Sequence, residues 1–210
     1  TPDEVLSLMN DSEFVSDFGF DTTTIVTMFL PNTYEMYWTT SARKLFDRMK
    51  REYEVFWGEK RRQRAEELGM TPVEVSVLAS IVQAETRMGD EKQRVAGLYM
   101  NRLQKGMPLE ADPTVVFAIG DFGKRRILKK DLQFDSPYNT YLNKGLPPGP
   151  INLPNPASIN AVLNYEDHDY LFMCAKEDFS GYHRFASSYR QHINNARRYQ
   201  QALNRSGIYR

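Results

Sequence analysis

Cysteine is almost missing from this chain. Cys174 stands alone among 210 residues, so no intramolecular disulfide can form. That fits a cytosolic protein, and equally an exported one that needs no covalent staple. No run of about 18 apolar residues occurs, so the sequence offers no transmembrane helix. Excess charge is lacking too: 27 Lys plus Arg balance 27 Asp plus Glu, which speaks against a dedicated nucleic-acid binder. His168, His183 and His192 are the only histidines and do not fall at metal-ligand spacing. With no HExxH or CxxC pattern, no metal is expected. A GxSxG elbow, a glycine-rich phosphate loop, an internal repeat and a low-complexity tract are also missing, and no cofactor is expected. Thr1 carries no basic-apolar leader behind it, and without an initiating Met the chain is expected to be a processed or trimmed fragment.

What is present is a composition able to fold. Hydrophobic residues make up 41%, enough for a sizeable core in one large or two small domains. Residues 1–24 read as a short polar helix and a turn, and the β-branched run Ile25 to Leu30 as a strand stopped by Pro31-Asn32. Ser41 caps an expected helix from Ala42 to about Trp57, with Leu45, Phe46, Met49, Tyr53 and Phe56 at helical spacing. Lys60 to Arg64 reads as a solvated basic face or loop. Thr71-Pro72-Val73-Glu74 combines a cap, an N1 proline and a capping box, and predicts a helix to about Met88. A second helix should cover Glu91 to Leu103. Asp112-Pro113 and Asn155-Pro156 repeat the cap-then-proline signal. The turn-rich stretch between them is long enough to suggest function. Tyr170 to Ala175 reads as a buried strand with His183 to Phe185 as its partner, and Cys174 as inert core. Ser188 caps a last helix to about Asn204. After Asp178 no acidic side chain remains and six arginines follow. Helices dominate with few strands, so the expected class is α+β: a helix-rich domain with a small β-sheet and long groove-forming loops.

One carboxyl stands out. On the helix after Thr71, Val75, Leu78, Ala79 and Val82 form an apolar stripe widened by Ile81, and Glu85 falls at its edge. Partial desolvation there disfavours the charged form and raises the pKa. Such an acid can hold a proton near neutral pH and deliver it to a leaving oxygen. The same residue can equally pair with Arg87 or Lys92 at the surface, and periodicity leaves both readings open.

The surrounding motifs bear on that choice. Leu78-Ala79-Ser80-Ile81-Val82-Gln83-Ala84-Glu85-Thr86 resembles the catalytic helix of the endolytic murein transglycosylases, the YceG-like or MltG family. Further resemblances follow in order: Val95-Ala96-Gly97-Leu98-Tyr99-Met100-Asn101-Arg102-Leu103, then Gly106-Met107-Pro108-Leu109-Glu110-Ala111-Asp112-Pro113-Thr114-Val115. Ser136-Pro137-Tyr138-Asn139-Thr140-Tyr141, Gly145-Leu146-Pro147-Pro148-Gly149-Pro150-Ile151 and His183-Arg184-Phe185 continue it. Phe29-Leu30-Pro31-Asn32-Thr33-Tyr34 matches a shorter upstream signature. The set runs from Phe29 to about Phe185, and in combination it is specific.

The resemblance implies cleavage of the β-1,4 bond between N-acetylmuramic acid and N-acetylglucosamine inside glycan strands, leaving a 1,6-anhydro end, with Glu85 matching the catalytic glutamate. Some relatives carry a second acid where this chain has Gln83, which cannot act as a carboxylate. One acid suffices if the muramyl C6 hydroxyl attacks its own C1, because proximity replaces a second catalytic group. Asp112 reads as a helix cap or a substrate contact, with Thr114 in the same motif. Asn139 and Thr140 can bond sugar groups or simply make a turn. Tyr138 and Tyr141 can stack on sugars or pack in the core. Pro147 and Gly149 are expected to form a rigid loop wall. His183 and Phe185 are carried over by resemblance as substrate contacts, and Arg102 reads as pairing with a carboxylate or holding the second helix to the loops.

Residues 1–40 are expected to be a lead-in segment and 41–210 the catalytic domain. The family's membrane anchor and LysM-like region are not visible, so the chain is expected to be the catalytic portion of a longer protein. By resemblance, its partners are peptidoglycan strands and peptidoglycan synthases, and its location is the extracytoplasmic face of the inner membrane. Three competing readings are a muramidase that uses water, a non-catalytic glycan-binding module of the cell wall, and a nucleic-acid binder working through residues 179–210.

Overall fold

Capping chemistry sets most helix starts in this protein, whose computed structural model describes residues 1–124 and 127–207. Helices α1 (Pro2–Met9) and α2 (Ser12–Ser16) begin at Thr1 and Asp11, whose side chains accept the first backbone N–H groups. Ser41 opens α3 (Ala42–Phe56), and the basic stretch lies in α4 (Glu59–Glu67). Thr71 and Glu74 close the expected capping box of α5 (Pro72–Glu85). Then come α6 (Lys92–Gln104), α7 (Asp112–Ile119) and α8 (Pro156–Leu163), the last capped by Asn155. Strands β1 (Phe172–Ala175) and β2 (His183–Ala186) pair antiparallel, Phe172 opposite Ala186 and Ala175 opposite His183. Ser188 caps α9 (Tyr189–Arg205), which packs along β1. The class is α+β.

α5 is the central element. Every residue from Val75 to Val82 is buried, so the helix has no solvent stripe along that stretch. α6 and α8 pack around it, together with α7. Ser76 and Ser80 are tolerated inside because their hydroxyls donate to Pro72 O and Val77 O at 2.9 and 2.7 Å. Glu85 therefore takes its setting from the helix end rather than from the edge of a stripe. At the far side of the core, Phe14, Phe29 and Phe46 meet edge to face at 5.0 and 5.3 Å, which docks the N-terminal segment on α3.

Several expectations need correction. Ile25 to Leu30 is not a strand. Asp21 Oδ1 accepts from the backbone N–H of Thr23 and Thr24, both at 2.8 Å, and winds the chain into a 3-10 turn at Ile25–Met28. That turn buries Ile25 and Met28 on one side. α5 ends three residues before the expected Met88, because Thr86 turns extended (φ −135°, ψ 137°). Its hydroxyl accepts from Met88 N and donates to Glu91. Asp112 is not a cap: Ala111 holds that position and no side chain caps α7. β1 starts at Phe172 and is half-buried throughout, since one side faces a cleft. Cys174 is half-buried on that cleft wall rather than deep core, and burial pushes its thiol pKa up. The basic stretch is the expected, mostly exposed helix face, anchored where Arg62 donates to Trp57 O at 2.6 Å and Arg64 to Leu163 O at 2.8 Å. Of the arginine-rich tail, residues 208–210 lie outside the described residues.

Candidate active site

Glu85 is the last residue of α5, and the break at Thr86 leaves its side chain at the helix end, partly buried. It lines two adjoining clefts. One, of about 280 Å³, is walled by Tyr99, Arg102, Phe172, Met173 and His183. The other, of about 590 Å³, is walled by Val116, Phe117, Phe122, Ile127 and Asn152. Asp112 also belongs to both, so the two carboxyls sit where the clefts meet. An open trough thus passes the acid on either side.

The electrostatics favour a proton on Glu85. Burial pushes its pKa up to about 7, against the pull of a hydrogen bond from Tyr99 and with a further push from the Asp112 charge. The Tyr99 hydroxyl donates to Glu85 Oε1 at 2.8 Å. Burial, then the neighbouring Glu85 charge, drives the Tyr99 hydroxyl well above its ordinary value, so it stays a donor. Asp112 is held in turn by the Tyr141 hydroxyl, 2.7 Å from Oδ1. Burial and that bond raise Tyr141 far above the usual phenol range. Two carboxyls are therefore each steadied by one tyrosine.

The remaining motif residues divide. Asp112, Tyr141 and His183 reach the first cleft with Glu85. Asn139, Thr140 and Thr114 do not. Asn139 is fully buried; its amide donates to Leu132 O and Phe134 O at 3.1 and 2.8 Å, and its carbonyl accepts from Tyr141 N at 3.0 Å. Thr140 accepts from Ala111 N at 3.0 Å and lies 2.8 Å from the Thr114 hydroxyl. These bonds clip the 136–143 loop to the start of α7, which is what brings Tyr141 onto Asp112. Tyr138 packs on Phe117 at 4.7 Å. Pro147 is buried outside both clefts. Gly149 does permit a close approach, but of the chain itself: a Cβ there would lie 2.4 Å from Thr23 O. Phe185 packs against Tyr170, tilted, with ring centroids 5.5 Å apart, also outside the clefts. Gln83 is structural, binding Asn152 and Leu153 through its amide nitrogen and accepting from Asn155 N at 2.8 Å.

Arg102 behaves as expected, donating to Pro108 O and Leu171 O, both at 2.9 Å, and to Glu110. Glu110 adopts a left-handed φ of +51°, uncommon away from glycine, and its N–H is fixed by Thr140 O. Sequence reasoning assigned no role to Tyr99 or Glu91. A tyrosine on the buried face of the second helix needs a partner for its hydroxyl, and that was the available signal for Tyr99. Among the described residues no group of three or more His, Cys, Asp and Glu side chains is arranged to hold a metal, and no helix is long and apolar enough to cross a membrane.

Comparison with known proteins agrees with the geometry. Over 101 residues, 48% of this chain, it is 45% identical to a Bacillus subtilis protein named endolytic murein transglycosylase. Over 110 residues, 50% of this chain, it is 34% identical to a Streptococcus pneumoniae protein of the same name. These matches span 28% and 20% of those longer relatives. A crystal structure of a YceG-like protein from Listeria monocytogenes superposes with a TM-score of 0.79 at 32% identity, covering 92% of this chain and 67% of that one. The YceG-like family profile matches residues 2–198. With nearly its whole length matched and its fold shared with a solved relative, the chain belongs to the YceG-like family.

Proposed function

We propose that this domain is a lytic transglycosylase that cuts peptidoglycan strands between N-acetylmuramic acid and N-acetylglucosamine and leaves a 1,6-anhydro-muramyl end. The observation that carries the reading is Glu85, a carboxyl with a pKa raised to about 7 at the meeting point of two open clefts. The names of the Bacillus and Streptococcus relatives support the substrate. A trough open on both sides of the acid suits a cut within a strand rather than at its end.

The reaction needs one shuttled proton. Glu85 gives its proton to the bridging oxygen, and the C1–O bond breaks, freeing the next sugar as an alcohol. Positive charge develops at C1 and the ring oxygen. Glu85, now a carboxylate, takes the proton of the same muramyl sugar's C6 hydroxyl, whose oxygen bonds to C1. No water is consumed, and the acid is restored. Tyr99 holds Glu85 in place through both halves. Asp112 contributes negative charge beside the cationic sugar, where fixed opposite charge lowers the barrier. We place this chemistry outside the cytoplasmic membrane, where the glycan lies.

Asp112 also favours a second reading. With two carboxyls at one junction, Asp112 could serve as the base or nucleophile of a muramidase that adds water. Mass spectrometry of peptidoglycan digested by the protein separates the two, because the products differ by one water. Anhydro ends are expected. Reducing ends would assign hydrolysis, and release of either product unchanged by Glu85→Gln would sink both readings.

A further inference from the structure

The link between α5 and α6 carries a second buried carboxyl, Glu91, only 3% exposed at its side chain. Three donors converge on it. The Thr86 hydroxyl reaches Oε2 at 3.1 Å, the His183 backbone N–H reaches Oε1 at 2.8 Å, and His183 Nδ1 lies 2.7 Å from Oε2. The neighbouring pair repeats the pattern, with the Tyr182 hydroxyl 3.2 Å from both oxygens of Asp90. The β1–β2 turn passes through Gly181 at φ +85°, a left-handed conformation that a residue with a side chain would adopt only under strain. Consecutive acids at the start of α6 thus grip consecutive residues leading into β2.

This grip fixes the chemistry of a ring in the cleft. His183 lines the same cleft as Glu85, with its side chain 16% exposed. A carboxylate can only accept, so in the neutral ring Nδ1 carries the proton and Nε2 is left as an acceptor. Among the described residues no protein group bonds Nε2. The cleft already holds donors in Tyr99 and Tyr141, but each is spent on a carboxylate.

We propose that Glu91 is a positioning residue that locks His183 as the Nδ1–H tautomer, so that Nε2 accepts a hydrogen bond from a hydroxyl or amide N–H of a sugar bound beside Glu85. The same carboxylate ties that ring to Thr86, the residue that follows the acid. Wall and acid then keep one spacing. The proposal rests on the cleft being a glycan site, and its test keeps the two ideas apart.

The probe is glycan freed of stem peptides by an amidase, titrated calorimetrically into the inactive Glu85→Gln protein. That protein should bind, and addition of His183→Ala should weaken binding about three- to tenfold, the range a neutral hydrogen bond supplies. Equal binding by the double variant overturns the proposal. Failure of Glu85→Gln itself to bind overturns the glycan reading and this one with it. Nitrogen NMR of labelled histidine should show Nδ1–H at His183 in the unaltered protein, and the opposite tautomer also overturns the proposal. Glu91→Gln presents a donor to Nδ1 and should move the ring proton to Nε2, turning the cleft acceptor into a donor. KM should then rise while kcat changes little; the shifted tautomer with unchanged KM counts against it. De-N-acetylated glycan separates the two donors: a His183 effect that disappears with it assigns the amide N–H, and one that persists assigns a hydroxyl.

Discussion

Glu85 and Glu91 stand at the two ends of one short link, both taken out of bulk solvent, yet their surroundings are opposite. Glu91 receives a hydroxyl, a backbone N–H and a ring nitrogen. Glu85 receives one phenol and faces the charge of Asp112. A carboxyl supplied with donors holds structure together. A carboxyl denied them, and placed beside a like charge, keeps its proton near neutrality and has an oxygen left to use. Burial is common to both carboxyls, and what separates them is the number of donors each receives.

The largest test of this contrast is in rate. Glu85→Gln should lower kcat by about 10²- to 10⁴-fold, the range for a positioned general acid, with folding intact by circular dichroism. Stability should reverse the ranking. Glu91→Ala leaves buried donors without an acceptor at about 1–3 kcal/mol each, whereas Glu85→Gln should not destabilise, and denaturant melts of the two compare them directly. A Glu91→Ala protein as stable as the parent would break the contrast. Asn139→Ala sharpens it from another side. Its amide serves its own loop, so a loss of about 1–3 kcal/mol is expected, with KM for glycan largely kept by the fraction that stays folded.

The smallest effects lie in pH. The acid must be protonated, so kcat/KM should fall on the alkaline side with a midpoint at about 7. Asp112→Asn removes a like charge and should move that midpoint down. Tyr99→Phe removes a donor to the carboxylate and should move it up. Movement of both in one direction would contradict the assigned causes. Stability follows the same linkage. The folded pKa lies above the ordinary 4.5, so the folded state binds more protons between 4.5 and about 7. Stability should therefore fall as pH rises through that window, a fall that Glu85→Gln lacks.

Helix starts were legible residue by residue: Ser41, Thr71, Asn155 and Ser188 all cap where their side chains indicate. Glu85 was legible as a candidate because a carboxyl in an apolar helix is conspicuous. The polar loop residues misled in part. Asn139, Thr140 and Thr114 belong to one cluster of turn and cap bonds, and an amide or hydroxyl looks the same in sequence whether it faces a ligand or its own backbone. The Asp112-Pro113 signal misled by one position, since Ala111 takes the cap and frees the carboxylate for Tyr141.

Local chemistry, then, determined by itself where helices begin, the α+β class and the presence of one unusual acid, because caps, prolines and apolar periodicity act over a few residues. Only the tertiary structure decided which polar groups are spent and which remain available. That depends on partners far away in the chain, such as Tyr99 against Glu85, Tyr141 against Asp112 and His183 against Glu91. A hydrogen bond is settled by distance and direction in space, and those are fixed only when the core closes.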